Sequence, residues 1–308
     1  MARAIAPRPR IMTATTAAEA IRPAIAQNRR KVWLGRLTGP GLVLPATVVT
    51  VLFSLVPIGY LVLVSLTHKS DFFFGKRDYS FANYDLVLNR YWQNVVVTVR
   101  LGFLASVLNL VWGYPFAYIL IRRVRYREVV RTFMAFPLFG PLYLAFGLYY
   151  ILLPGGPLAG LLDFLHIKGT DLLYSEPMTL FGMALFTFPF MVMNVGASLS
   201  NVDPTLEEAA KTLGAKPWQV FTRVLFPLSR SGILAGFLMC FGWNIGVFIV
   251  PILLGGLAQQ RVLSLVLQQK AMAQFDYGLA AAMGIVLMFI AFAVTWLSLK
   301  FSRGALGA

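Results

Sequence analysis

The sequence predicts an all-α integral membrane protein with six transmembrane helices and both termini in the cytoplasm. Three observations carry this prediction. Of 308 residues, 58% are hydrophobic and only 13% are charged, against roughly 25% charged in soluble domains. The apolar residues gather into six segments, each near the ~20 residues an α-helix needs to cross a bilayer. Lys and Arg concentrate in one alternating set of the connecting regions, which marks the cytoplasmic side.

Residues 1–40 read as a basic cytoplasmic tail in which eight Lys and Arg face a single acid, Glu19. The apolar run that follows is too long for the core of a signal peptide. The tail fits a short surface helix and a disordered segment equally well. The transmembrane domain is residues 41–300. Its segments are Gly41–Leu66, Val95–Ile121, Thr132–Leu153, Met178–Leu199, Ser231–Leu254 and Tyr277–Leu299, and residues 301–308 are a short cytoplasmic tail. Most segments contain proline: Pro45, Pro57, Pro115, Pro137, Pro141, Pro189 and Pro251. Proline removes a backbone donor and bends a helix, and bundles tolerate it where neighbours or water satisfy the freed carbonyls. Gly232 and Gly236 form a small-xxx-small pair, which predicts close packing of the fifth segment on a neighbour.

Orientation follows from the basic residues. The tail, 122–131, 200–230 and the C-terminus together hold nineteen, whereas 67–91, 154–177 and 255–276 hold seven. The first set is therefore cytoplasmic. The net charge of +15 is explained by the same bias, so it does not call for a nucleic-acid partner. Cys240 is the single cysteine, which excludes an internal disulfide and a cysteine-based metal site.

The cytoplasmic segment 200–230 is the long polar stretch of the second half. Asp203 is a suitable N-cap and Pro204 suits the first helical position. Leu206, Ala209, Ala210 and Leu213 fall at helical spacing on one stripe. Glu207, Glu208, Lys211 and Thr212 take the other face, with Glu207 and Lys211 in the favourable i, i+4 order. Gly214 is a natural stop. A second short helix begins at Pro217, with Trp218, Phe221 and Leu225 on one side, and Pro227 ends it. The expectation is that the apolar stripe packs under the bundle while the polar face meets a soluble partner, because helices this short are marginal alone.

Glu208-Ala209-Ala210, three residues, Gly214, nine residues, Val224, one residue, Phe226 and Pro227 resemble the EAA loop of ATP-binding-cassette importer permeases. Val224 and Phe226 replace the usual Ile and Leu and keep apolar character. Phe81-Ala82-Asn83-Tyr84, Gly113-Tyr114-Pro115-Phe116-Ala117-Tyr118, Phe188-Pro189-Phe190-Met191-Val192-Met193 and Gly255-Gly256 are similar to the spermidine/putrescine branch. The resemblance covers roughly residues 41–300. It implies a MetI-like type I importer bundle of five or six core helices. It also implies partners: a second homologous permease, two copies of a cytoplasmic ABC ATPase and an external solute-binding protein, in a bacterial inner membrane. Glu207, Glu208, Ala209, Ala210, Lys211 and Gly214 are then the ATPase-coupling residues, with Glu208 in the motif's Glu position. Sister branches carry opines, aminophosphonates and ferric iron.

The chain lacks a Gly-x-x-x-x-Gly-Lys-Ser/Thr loop, His-Glu-x-x-His and Gly-x-Ser-x-Gly, so neither ATP hydrolysis nor a familiar hydrolase chemistry is expected. No cofactor is expected on this chain, and ATP with Mg belongs to the partner ATPase. His68 and His166 fall in outer loops, too few for a metal site. Candidate solute-path residues are Trp243, Asn244, Asn194 and Arg100, polar or amphipathic groups inside the spans. Interhelical hydrogen bonding explains the asparagines equally well, and Arg100 also fits snorkelling to the outer headgroups. An ion-gradient-driven transporter is the rival class, but it predicts intramembrane carboxylates and an inverted repeat, and neither is visible.

Overall fold

In the computed structural model the described residues are 44–67, 79–134, 136–158, 160, 164, 172–255 and 262–304. The basic tail, both histidines, Asp71, Asp78, Asp163, Asp171 and Gly256 lie outside them. The chain divides into two units, residues 1–60 and 61–308. The described part of the first is the apolar helical stretch 44–60.

Among the described residues the regular structure is all helical, without strands. Among the described residues four helices are long and apolar enough to cross a membrane, or five if a bent pair in 217–246 counts as one span: α1 (Leu44–Ser65), α3 (Trp92–Arg122), α6 (Glu176–Ser200) and α12, which runs Tyr277–Gly304, are the four. They coincide with the first, second, fourth and sixth predicted segments to within a few residues. Pro115 and Pro189 are carried inside α3 and α6 without ending them. α6 starts on a side-chain cap, Ser175 Oγ accepting the Met178 N–H at 3.2 Å.

The third and fifth predicted segments are not single helices. The third divides into α4 (Arg127–Met134), a 3-10 turn at Phe136–Phe139 and α5 (Pro141–Leu152). Gly140, with φ of 139°, makes the break, a conformation that glycine adopts freely, and Pro141 then starts α5. The fifth ends early. α9 covers Arg230–Gly246, Val247 turns extended, and Ile249–Leu254 forms the short α10. The outer loops also hold structure that hydropathy did not announce. Ala82–Arg90 is α2, and Leu263–Met272 is α11. Leu263, Leu265 and Val266 of the latter are buried. Leu263 donates its N–H to Thr98 Oγ1 of α3 at 2.7 Å, which seats α11 in the bundle.

In the second unit α3, α6 and α9 pack on one another. Glycine sets their approach. A Cβ at Gly113 would lie 2.9 Å from Met191 Cγ, and one at Gly236 would lie 2.8 Å from Met191 Sδ. A Cβ at Gly232 would collide with Ser198, so the predicted small-residue contact is present. Helices α2, α11 and α12 share a second core built on Val87, Leu263, Val266 and Met283. The far side of α12 exposes Phe289, Phe292 and Trp296, an apolar surface that suits lipid rather than water.

Candidate coupling site and solute path

The loop after α6 folds into two short helices. α7 (Pro204–Thr212) starts at Asp203, whose carboxylate accepts the Thr205 N–H at 2.9 Å. That bond holds the Asp203 carboxyl below its usual range. α7 ends in a paired-bond turn: Gly214 N–H donates to Lys211 C=O at 2.9 Å and Ala215 N–H to Ala210 C=O at 3.0 Å. Gly214 takes φ of 83° to do so, the left-handed cap position. α8 (Pro217–Leu228) follows at once, with Gln219 Oε1 accepting the Lys216 N–H at 2.8 Å. It passes through a wide π turn at Phe221–Leu225. That turn brings Val220, Leu225 and Ser229, all buried, toward one face. Pro227 therefore does not end the helix, which runs to Leu228 before bending 73° into α9.

The packing of α7 corrects the expected face. Leu206 and Leu213 are exposed, at 46% and 89%, and Ala209 and Glu208 are exposed too. Glu207 is the buried residue, at 5%. Its carboxylate accepts Arg122 Nε at 2.7 Å and Tyr118 OH at 3.1 Å. Glu207 thus turns to Arg122 of α3, in place of the expected i, i+4 pair with Lys211. An exposed Leu stripe is available to a partner; a charge at the seam with the bundle is tolerated because its counter-ion waits there. Trp218, expected on the packed side of the second helix, is likewise 70% exposed.

Arg122 also donates Nη2 to the Val202 C=O at 2.8 Å, closing an orphan carbonyl beyond the end of α6. One α3 ridge, Tyr114, Tyr118 and Arg122 at i, i+4 and i+8, then serves the whole loop. Tyr114 OH lies 2.8 Å from Ser229 Oγ at the start of α9, with the Phe221 ring edge-on to Tyr114 at 4.9 Å. The sequence reading missed Arg122 and Ser229. The available signal was the spacing of two tyrosines and an arginine on one helical face at the cytoplasmic end of a span.

The candidate path residues separate. Trp243 is half-exposed, stacked on Phe190 at 5.6 Å and edge-on to Phe186 at 5.9 Å. It borders a groove of about 300 Å3 shared with Pro141, Phe186, Gly242 and Gly246, where the breaks of the third and fifth segments meet. Asn194 lies one turn along the same seam, donating to Phe190 C=O at 2.8 Å and to Met239 Sδ at 3.5 Å. Asn244 is not on that surface. It is 1% exposed and donates to Thr187 Oγ1 at 3.1 Å, so it is a packing hydrogen bond. Arg100 stands apart, paired with Glu176 at 2.6 Å at the start of α6.

The sequence model for the binding-protein-dependent transport system inner membrane component matches residues 109–305. The chain belongs to that family. The matched stretch runs from mid-α3 through α12 and contains the whole α7–α8 loop. Among individual relatives, the spermidine/putrescine transport system permease protein PotB of Salmonella typhimurium strain SL1344 is 29% identical over 248 residues, covering 78% of this chain and 85% of that protein. The Escherichia coli K12 PotB is equally similar, with 89% of it covered. A probable sulfate transport system permease protein cysT of Prototheca wickerhamii is 25% identical over 232 residues, covering 70% and 90%.

Solved structures agree on the fold. One chain of a bacterial alginate ABC transporter, crystallised with an alginate pentasaccharide-bound periplasmic protein, superposes with a TM-score of 0.68 at 20% identity, covering 90% of this chain and 96% of that one. A chain of the inward-facing MetNI methionine ABC transporter superposes at 0.51 with 16% identity, covering 69% and 94%. The chain is a membrane-embedded permease subunit of an ATP-binding-cassette importer, a transporter subunit and not an enzyme. A permease subunit of this class implies an ATPase and a solute-binding protein as partners.

Proposed function

We propose that this permease forms half of the path by which a polyamine such as spermidine or putrescine crosses the bacterial inner membrane. The observation that carries the substrate is the 29% identity to PotB over 78% of the chain. The other half is a second, homologous permease, and two cytoplasmic ATPases drive the pair. ATP and Mg act on those ATPases, with no cofactor on this chain. The permease domain is 41–300 and its coupling loop 200–230, between cytoplasmic tails 1–40 and 301–308. The chain passes the membrane six times with both termini inside, the broken segment around α4 and α5 serving as the third crossing.

The mechanism is alternating access. ATP draws the two ATPases together, and the loops carrying Glu208, Ala209, Ala210, Lys211 and Gly214 follow. The bundle switches from inward-open to outward-open, the binding protein releases solute into the path, and hydrolysis resets it. The exposure of Glu208, Leu206 and Leu213 supports this assignment of the ATPase-facing surface. Along the path the cation would meet the half-exposed Trp243 ring, since aromatic faces hold ammonium groups.

The test is reconstitution of the chain with its neighbouring permease, ATPase and binding protein in lipid vesicles. ATP hydrolysis stimulated by binding protein loaded with spermidine or putrescine, together with uptake of labelled polyamine, is the expected result. Stimulation by an opine, an aminophosphonate or ferric iron would reassign the solute within the class. Uptake on an ion gradient without ATP would overturn the reading.

A further inference from the structure

The α3 ridge of Tyr114, Tyr118 and Arg122 touches the α7–α8 loop at both of its ends. At the entry, Arg122 and Tyr118 hold Glu207 of α7, and Arg122 also holds the Val202 carbonyl. At the exit, Tyr114 meets Ser229 in the bend between α8 and α9. Both anchors are withdrawn from solvent: the Glu207 and Arg122 side chains are 6% and 15% exposed, and Ser229 is fully buried. Meanwhile Leu206, Glu208, Ala209 and Leu213 face outward. One helix nine residues long therefore presents two chemistries. Its outer side is open to a soluble partner, while its inner side is pinned by charge to a helix of 31 residues.

Apolar contact alone would let so short a helix slide over its support, because dispersion and burial are not directional. A charge-assisted pair in a dry seam is directional. Separating it leaves one charge buried and unmatched, a costly state. A push on α7 is thus delivered to α3 rather than absorbed in the loop.

We infer that Arg122 and Tyr118 are positioning residues that lock α7 to α3 through Glu207, so that ATPase motion moves α7 and α3 as one body. This reassigns Glu207 from the ATPase-facing set to the bundle side. The inference rests on the ATPase-facing role given above to the outer face of α7.

The experiment uses the assembled importer with paired spin labels at Thr205→Cys on α7 and Ile119→Cys on α3. Both sites are exposed, and the single native cysteine, Cys240, is buried, so labelling is selective. The label separation is measured without nucleotide and after ATP/vanadate trapping. The lock predicts no change on trapping in the wild-type background. In Arg122→Gln it predicts a shift of about 1–2 Å or a broadened distribution, the scale of interhelical shifts in switching proteins. Arg122→Glu combined with Glu207→Arg keeps the ion pair, gives up the bond to the Val202 carbonyl, and should return the separation to a fixed value.

A wild-type shift on trapping as large as that of Arg122→Gln would overturn the lock, and so would an unchanged separation in Arg122→Gln. Should Arg122→Gln not assemble, the reversed pair decides. Assembly with a fixed separation supports the lock; a moving separation or failure to assemble refutes it. Absence of any co-purifying ATPase would instead count against the importer assembly itself, which separates the two failures.

Discussion

Asn109 of α3 and Asn244 of α9 both donate to the same acceptor, Thr187 Oγ1 of α6, at 2.7 and 3.1 Å. Thr187 Oγ1 in turn donates its O–H to Met183 C=O at 3.0 Å. All three side chains are buried, so one hydroxyl ties the three central helices. Thr187→Val keeps the shape and orphans two amide donors. We expect a loss of about 1–3 kcal/mol, read as a lower unfolding temperature in detergent, with Thr187→Ser close to wild type. A wild-type melting point for Thr187→Val would show that the amides find other partners.

Glu207 and Glu208 are neighbours with opposite environments. Glu208→Ala removes an exposed side chain and should change stability by less than about 0.5 kcal/mol, while weakening ATPase binding and stimulated hydrolysis. Glu207→Ala strands Arg122 in the seam and should cost roughly 3 kcal/mol. Thermal denaturation of the isolated subunit beside pull-down of the ATPase distinguishes them. Equal loss of stability in both variants would refute the assigned faces.

Gly214 has φ of 83° and nothing within 4 Å of an added Cβ. Substitution there is therefore a backbone effect without a clash. Gly214→Ala should destabilise the α7–α8 turn by about 1 kcal/mol, and Gly214→Asn by less, since Asn tolerates the left-handed cap. Hydrogen exchange of the Ala215 N–H, bonded to Ala210 C=O, would report the difference, and Ala exchanging more slowly than Asn would contradict it.

Gly278 begins α12 against the carbonyl of Thr67, and an added Cβ would collide with that oxygen. Asn83 Nδ2 completes the junction by donating to Ser65 C=O at 2.8 Å and Thr67 C=O at 2.9 Å, covering carbonyls at the end of α1 that have no helical donor. Gly278→Ala should cost about 1–3 kcal/mol, whereas the same change at Gly242, with open space around it, should cost far less. Comparable yields and melting points for the two would argue against the packing described.

The α7 cap is pH-dependent. The Thr205 N–H holds the Asp203 pKa below its usual 3.8, so the unfolded loop binds the proton more readily than the folded one. The stabilisation is complete above about pH 4–5 and falls away as pH drops through the lowered pKa. Limited proteolysis of the loop should accelerate below about pH 4 in the wild type. Asp203→Asn, which caps without titrating, should show no such acceleration from this site.

The periodicities legible in the sequence were those set by local forces. Uniform apolar runs placed α1, α3, α6 and α12 because a helix spanning lipid must satisfy its own backbone and show apolar groups on all sides. Asp203, Pro204 and Gly214 marked the ends of α7 because capping is decided within four residues. Hydropathy did not show the breaks at Gly140 and Val247, since both sides are apolar, and Pro141 marked the first only as a bend. Nor did it show α11, which is too short to register as a span and is held by Thr98 from another helix.

The sequence by itself therefore determined the membrane class, four of the spans and the spacing that carries the family. Tertiary structure decided which face of α7 is buried, which asparagine is packed and which aromatic ring is open. Amphipathicity ranks Leu206 and Leu213 for burial, yet Arg122, 85 residues away from Glu207, lies where it can pair a buried carboxylate. A long-range partner of that kind leaves no trace in local periodicity; it satisfies the buried carboxylate, and the two leucines remain open for a protein partner to cover.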